Sequence, residues 1–288
     1  MILVTGAAGK TGRAVIKALA GAGAQVRALV RRPGEPGALR ALGAAEVSVG
    51  SFEDRGALAL AAGGAQAIYH ICPNASANEI AYARAVAEAA KAQNVERFVY
   101  HSVLHPQIEA MPHHWAKLRV EEMLFGFGFE LTILQPTAYM QNILGVWRGI
   151  VADGVYRVPY PIETRLSLVD LNDVAEAAAL VLTTGGHAGA IYELVGTPPL
   201  TQTEIAATLA TALRRDVRAE AETIEAWDAR ARQSGVGEHE RATLAAMFRY
   251  YARDGLAGNP NALRWLIGRP PNDLPHFLRR AVAAQSET

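Results

Sequence analysis

The chain has 288 residues, 50% of them hydrophobic and 19% charged, with 28 basic side chains against 28 acidic ones. This balance excludes a disordered polyelectrolyte, and a formal charge of zero supplies no global field for recruiting nucleic acid or an anionic membrane. Cys72 is the only cysteine, so no intrachain disulfide can form and a reducing compartment is expected.

In chain order, short apolar runs alternate with Ala- and Leu-rich stretches of helical period. Strands are expected at Ile2–Val4, Val26–Val30, Glu46–Val49, Ala67–Ile71, Phe98–His101 and Leu131–Leu134. Helices are expected between them at Arg13–Leu19, Gly37–Leu42, Arg55–Ala62, Glu79–Ala92 and Lys117–Leu124. Most of the strands are apolar throughout, as when helices cover both faces of a sheet, so the pattern predicts an α/β fold with a doubly wound parallel sheet. Beyond about residue 140 the rhythm loosens. Gly145–Pro161 is rich in turn residues, Leu166–Ala179 reads strand then helix, and Ile191–Val195 reads as a strand. From Thr201 the chain is mainly helical, at Gln202–Leu213, Ile224–Ser234 and Glu238–Asp254, with prolines breaking up the tail. We therefore expect a nucleotide-binding domain over residues 1–140 and a smaller, mostly helical substrate lobe over 141–288, with about 164–182 returning to the first core. The chain starts on MILVTG with no basic n-region. The charge-free run Gly56–Asn78 is broken by Gly63, Gly64, Gln66, His70, Pro73 and Asn74. Neither a signal peptide nor a membrane span is expected, and the protein reads as cytoplasmic.

The turn "TGAAGKTG", Thr5 to Gly12, opens the first helix. Its letters GKT suggest a triphosphate loop, but G-x-x-x-x-G-K-[ST] would need a glycine where Val4 stands. The spacing Gly6, Gly9, Gly12 instead fits a dinucleotide turn. Gly6 bends out of the strand, Gly9 admits a pyrophosphate, and Gly12 lets helix and strand pack closely, so that the helix N-terminus faces the phosphates. Thr5, Lys10 and Thr11 belong to the same turn, with Lys10 at its rim. The second strand ends in Arg31 and Arg32, where an acidic residue would grip the 2′-hydroxyl of NAD. Guanidinium groups there suit a 2′-phosphate, so the cofactor expected is NADP(H).

At this point the sequence resembles the NmrA-like branch of the atypical short-chain dehydrogenases/reductases. The resemblance rests on "TGAAGKTG", "LVRRP", "GSFEDRGAL", "HHWAKLRVEEML", "LTILQPTAYMQNIL", "LSLVDLNDVAEAAALVL" and "LRWLIGRPP", in that order along nearly the whole chain. It implies a Rossmann domain holding NADP(H), with the substrate between it and the C-terminal lobe. Carried over by position, it implies Ser51 and Phe52 near the adenine, with Ser51 where an aspartate is usual. Ile71, Cys72 and Pro73 are implied on the ribose and nicotinamide side, Ser102 at the end of the fifth strand, and Pro136, Thr137 and Tyr139 near the nicotinamide. Lys117 corresponds to the lysine of the superfamily's Tyr-x-x-x-Lys pair. His113 stands where the tyrosine would be, and a neighbouring ammonium would keep that imidazole neutral.

Of the 28 basic residues only Lys10, Lys17, Lys91 and Lys117 are lysines. Two of these four sit at cofactor-motif positions, where a compact ammonium is not interchangeable with a guanidinium. His101, His105, His113 and His114 cluster after the fifth strand without carboxylate or cysteine at ligand spacing, so no metal is expected. Tyr139 either donates a proton or shapes the pocket. Trp115 and Trp147 read as core residues, and Asp173 as an N-terminal helix cap or dipole residue.

The resemblance implies an NADPH-dependent reductase of a small conjugated or aromatic acceptor such as a quinone or enone, with Lys117, Tyr139, His113 and Ser102 as candidate catalytic residues. A dinucleotide-sensing regulator without turnover is the alternative. The expected partner is a small molecule, without direct contact to nucleic acid or membrane; a homodimer is compatible. Replacing Arg31 by Ala should weaken NADPH binding at least tenfold and leave NADH binding within twofold, as read by titration of cofactor fluorescence. Unchanged discrimination would remove the arginine from the 2′-phosphate.

Overall fold

A strand that ends in a left-handed glycine and feeds straight into a helix fixes the first unit of the structure. The computed structural model describes residues 1–32 and 36–286. In order these form β1 (Ile2–Val4), α1 (Lys10–Gly21), β2 (Val26–Val30), α2 (Pro36–Ala41), β3 (Glu46–Val49), α3 (Arg55–Ala62), β4 (Ala67–His70), α4 (Glu79–Ala92), β5 (Arg97–His101), α5 (Pro112–Phe125) and β6 (Glu130–Pro136). Then come β7 (Ala138–Tyr139), a 3₁₀ segment at Met140–Val146, α6 (Trp147–Asp153), β8 (Val155–Val158), β9 (Leu168–Val169), α7 (Leu171–Thr183) and β10 (Ile191–Leu194). The remainder is α8 (Gln202–Leu213), β11 (Arg218–Ala221), α9 (Ile224–Gln233), α10 (Glu238–Asp254), α11 (Asn261–Ile267) and α12 (Leu274–Ser286).

Among the described residues the main sheet has seven strands in the order β10-β6-β5-β4-β1-β2-β3. β1 pairs in parallel with both β2 and β4, and the parallel pairing continues from β2 to β3 and from β4 through β5 to β6. The order reverses at β1, where the crossovers turn from one side of the sheet to the other. Ligands of doubly wound sheets bind at such a switch point. This is the Rossmann arrangement read from the sequence.

The chain divides into two compact units. One comprises residues 1–109, 113–135 and 174–192, and the other 110–112, 136–173 and 193–288. The first is built on apolar strands whose side chains meet the helices, with Leu3, Ile68, Phe98, Tyr100, Val120 and Leu124 among its buried residues. In the second, β8 pairs in parallel with β11, register Val155 to Arg218.

That pairing corrects the reading of Gly145–Pro161 as turns. The segment contains α6, which buries Trp147 and Ile150, and β8, whose partner lies some sixty residues later. Local composition does not reveal a partner so distant. α5 also starts five residues earlier than expected. Pro112 occupies its first position, where a missing N–H costs nothing, and so His113 and His114 are helical.

A tight backbone constraint in the first unit is at Gly12. A Cβ there would lie 2.4 Å from the carbonyl oxygen of Gly6 and 2.7 Å from Ala7 Cα. Both are backbone atoms that cannot step aside, so Gly12→Ala should cost about 2 kcal/mol or more in denaturant unfolding. Gly21→Ala, in the same helix with no atom within 4 Å of the new methyl, should be neutral or stabilising. Equal effects of the two would refute the close approach.

Candidate functional site

Gly6 sits at φ +58°, and a Cβ on it would meet the carbonyl oxygen of Ile71 at 2.8 Å. Only glycine lets β1 turn here while the loop after β4 passes so close. The Thr5 hydroxyl locks the same crossing. It accepts from the Ile71 N–H at 3.1 Å and lies 2.9 Å from His70 Nδ1. Thr5 is fully buried and its hydroxyl is engaged within the protein. Gly9 caps α1 through backbone alone, with no side-chain cap and no acidic residue in the first turn. The first N–H groups of that helix therefore lack a carboxylate partner from their own turn, as an anion site requires. Thr11 and Gly12 are buried beneath the turn, while Gly9 and Lys10 are exposed, as are Arg31 and Arg32 at the end of β2.

Ser51 and Phe52 follow β3 and are half-buried. Phe52 packs its ring edge-on against His70 at 5.5 Å, and the Ser51 hydroxyl accepts from the Glu53 N–H. After β4, Ile71 is half-buried, Cys72 buried and Pro73 exposed.

Lys117 projects from α5 towards the ends of β4 and β5. Its ammonium donates to Glu79 Oε1 at 2.8 Å and to the His101 carbonyl at 3.1 Å, with the Tyr100 hydroxyl at 3.5 Å. Glu79, in the first turn of α4, is itself buried and accepts a second hydrogen bond from the Tyr100 hydroxyl at 2.8 Å. Burial alone would raise the Glu79 carboxyl, but the Lys117 charge and hydrogen bond, with Tyr100, outweigh it and hold the group below its usual range. Burial and, after it, the nearby Glu79 charge push the Cys72 thiol well up. Glu79 was not legible as a site residue, because an acid in the first turn of a helix ordinarily serves the helix dipole.

One turn further along α5, Glu121 is buried and accepts from the Ser102 hydroxyl and from Gln135 Nε2 at 3.0 Å. Burial raises its carboxyl despite these partners. His113, Lys117 and Glu121 thus form an i, i+4, i+8 stripe on one face of α5. The structure brings Lys117, Ser102, His113 and Cys72 into one neighbourhood at the carboxyl ends of β4 and β5. His113 lies edge-on to His114 at 4.4 Å, and its Nδ1 is buried without a hydrogen-bond partner among the described residues. Its pKa is lowered to about 4, first by burial and second by Lys117. The direction expected from the sequence holds, but desolvation rather than the ammonium leads.

In the second unit, Pro136 and Thr137 are buried and Tyr139 is half-buried. Thr137 donates to the Ser167 carbonyl at 2.9 Å. Asp173 does not cap α7. Asp170 does so, accepting from the Asn172 N–H at 3.1 Å. Asp173 is fully buried and binds Arg269 at 2.6 Å and both the backbone and side-chain nitrogens of Asn272. Trp147 is buried as expected, but Trp115 lies on the surface, because residue 115 falls on the outer face of α5.

The chain belongs to the NmrA-like family, whose model matches residues 1–275. It is 29% identical over 289 residues to the NAD(P)H azoreductase of Xenophilus azovorans, covering 99% of both chains. Identity to quinone oxidoreductase 2 of Escherichia coli is also 29%, over 276 residues that cover 95% of this chain and 96% of that one. The crystal structure of that oxidoreductase complexed with NADPH superposes with a TM-score of 0.86, covering 98% of this chain and all of the other at 28% identity.

Buried histidines make stability depend on pH. His70 is lowered to about 4, His101 to about 3 and His114 to about 3, each chiefly by desolvation. Below about 6.5 the unfolded chain takes up protons that the folded chain refuses, so stability falls as pH drops from 6.5 towards 4 and gains nothing from these groups above 6.5. The expected slope is of order 1.4 kcal/mol per pH unit for each histidine. Urea unfolding at pH 7.5, 6 and 5 should show it, and His114→Gln should flatten it. A free energy constant from pH 7 to 5 would contradict the assignment.

Proposed function

We propose that this chain is an NADPH-dependent reductase that reduces a small conjugated or aromatic acceptor, with quinones, enones and azo compounds as the classes to test first. The observation that carries the reading is the glycine turn. A Cβ-free cradle at Gly6 and Gly12 seats a helix N-terminus that has no side-chain cap and no acid in its first turn. Those features fit a dinucleotide pyrophosphate, and the relatives acting with NADPH or NAD(P)H match nearly the whole chain.

Gly6, Gly9, Gly12 and the first N–H groups of α1 would hold the pyrophosphate, with Lys10 at the rim. Arg31 and Arg32 would grip the 2′-phosphate with planar, multiply donating groups. Ser51 and Phe52 would border the adenine, and Ile71, Cys72 and Pro73 the ribose and nicotinamide. Bound NADPH supplies the hydride that reduces the acceptor.

Lys117, held by hydrogen bonds to Glu79 and the His101 carbonyl, places an oriented ammonium beside the strand ends, where it would meet the dinucleotide. His113 is neutral above about pH 5, so it serves as a neutral hydrogen-bonding imidazole and not as an imidazolium acid. The Ser102 hydroxyl donates to Glu121, which commits its proton inside the protein. An imidazole thus stands where the usual phenol acid would be. That replacement suits an acceptor such as a quinone, whose reduced form is a stable anion and takes its proton from water.

Purified protein with NADPH should oxidise the cofactor in the presence of quinones, enones or azo dyes, read at the nicotinamide absorbance, with NADPH preferred over NADH by more than tenfold. Tight NADPH binding with no turnover across the panel would overturn the reductase reading and favour a dinucleotide sensor.

A further inference from the structure

The reductase reading assigns Lys117 to the dinucleotide site, but the structure shows that Lys117 does not stand alone. An ammonium has three N–H donors, and two are held firmly within the protein, by Glu79 at 2.8 Å and the His101 carbonyl at 3.1 Å, while the Tyr100 hydroxyl at 3.5 Å is a long contact that leaves the third donor available to a ligand. Lys117 and Glu79 are both largely shielded, at 13% and 4% side-chain exposure. A carboxylate in such a place carries a large desolvation cost, and burying an ion pair is a poor way to stabilise a fold. Glu79 directly follows the loop 71–78 that leaves β4, and Lys117 meets the last residue of β5, at the carboxyl edge where doubly wound sheets bind ligands.

We propose, resting on that reading, that Glu79 is a positioning residue for Lys117. It fixes the direction of the ammonium and cancels its charge, so that Lys117 meets the cofactor as an oriented hydrogen-bond donor rather than as a free cation. The same carboxylate ties two segments to that point, α5 through Lys117 and β5 through the Tyr100 hydroxyl, and its charge is felt by the Cys72 thiol in the loop after β4. His70, at the end of β4, faces the pair and is neutral, with its ring stacked on Tyr100 at 6.0 Å. The charges at the centre of the group are therefore Glu79 and Lys117 themselves, opposite and adjacent.

The inference separates from a merely structural role by its dependence on Lys117. A cycle of wild type, Glu79→Gln, Lys117→Met and the double variant should be read in two ways: the dissociation constant for NADPH by fluorescence titration, and kcat with a quinone acceptor. Glu79→Gln in the wild-type background should weaken NADPH binding and lower kcat by roughly tenfold each, because it leaves a buried ammonium without its counter-charge. In the Lys117→Met background the same change should alter both by less than about twofold, since no ammonium remains to position. Glu79→Asp should recover part of the loss in the wild-type background only.

A second readout needs no turnover. Cys72 is the only cysteine, so its rate of reaction with a disulfide reagent reports the carboxylate beside it, and Glu79→Gln should accelerate that reaction in the protein without cofactor. Equal losses in both backgrounds, or no loss in either, overturn the inference. If Glu79→Gln does not fold, Glu79→Asp in the same two backgrounds reads the same coupling. A wild-type chain that binds no NADPH overturns the reductase reading itself, whereas binding with an additive cycle overturns only the positioning role of Glu79.

Discussion

The contact on which the architecture depends is the approach of the Gly6 carbonyl to the first turn of α1. No atom larger than hydrogen fits between them at Gly12, and that contact sets how closely the helix lies on its strand. With α1 so placed, its N-terminus points out at the position where the sheet order changes direction. Gly6 makes a second close approach, to the Ile71 carbonyl, and thereby fixes the loop after β4 relative to the loop after β1. Two adjacent loops are thus held at set positions by backbone alone, before any side chain has been chosen for chemistry.

Chemistry is then sorted by environment along one helix face. Glu79 and Glu121 are both buried carboxylates within reach of Lys117, but burial wins at one and charge pairing at the other. Glu79 is held below its ordinary range by direct contact with the ammonium, whereas Glu121, hydrogen-bonded to neutral Ser102 and Gln135, is pushed above it. A single helical repeat of four residues places an imidazole, an ammonium and a carboxylate in three different electrostatic settings. The tyrosine usual at the first of these positions is replaced by a histidine that burial keeps uncharged.

The sheet was legible because its strands are short, apolar and separated by helices of clear period, and the dinucleotide turn because three glycines at fixed spacing meet backbone atoms on two sides. Lys117 stood out in a chain that otherwise prefers arginine. Glu79 did not stand out: in sequence it is merely the first charge after the neutral run Gly56–Asn78, and its partners lie in β5 and α5. The β8–β11 pair was hidden for the same reason, since each half takes its meaning from a segment some sixty residues away. Asp173 read as a helix cap or dipole residue; it does stand in the first turn of α7, but the partners of its side chain are about a hundred residues downstream. What the sequence conceals is pairing between distant segments; what it shows is local period and backbone need.

The pairing of Asp170 and Asp173 also bears on how the second unit is completed. Both carboxylates are fully buried, and their cationic partners, Arg280 and Arg269, come from the last stretch of the chain, with Asn272 between them. Without that segment in place, closing the unit would bury two carboxylates stripped of these cationic partners. Residues 269–280 therefore fasten the unit by charge as well as by packing, and a unit without them would be driven to admit water at its centre.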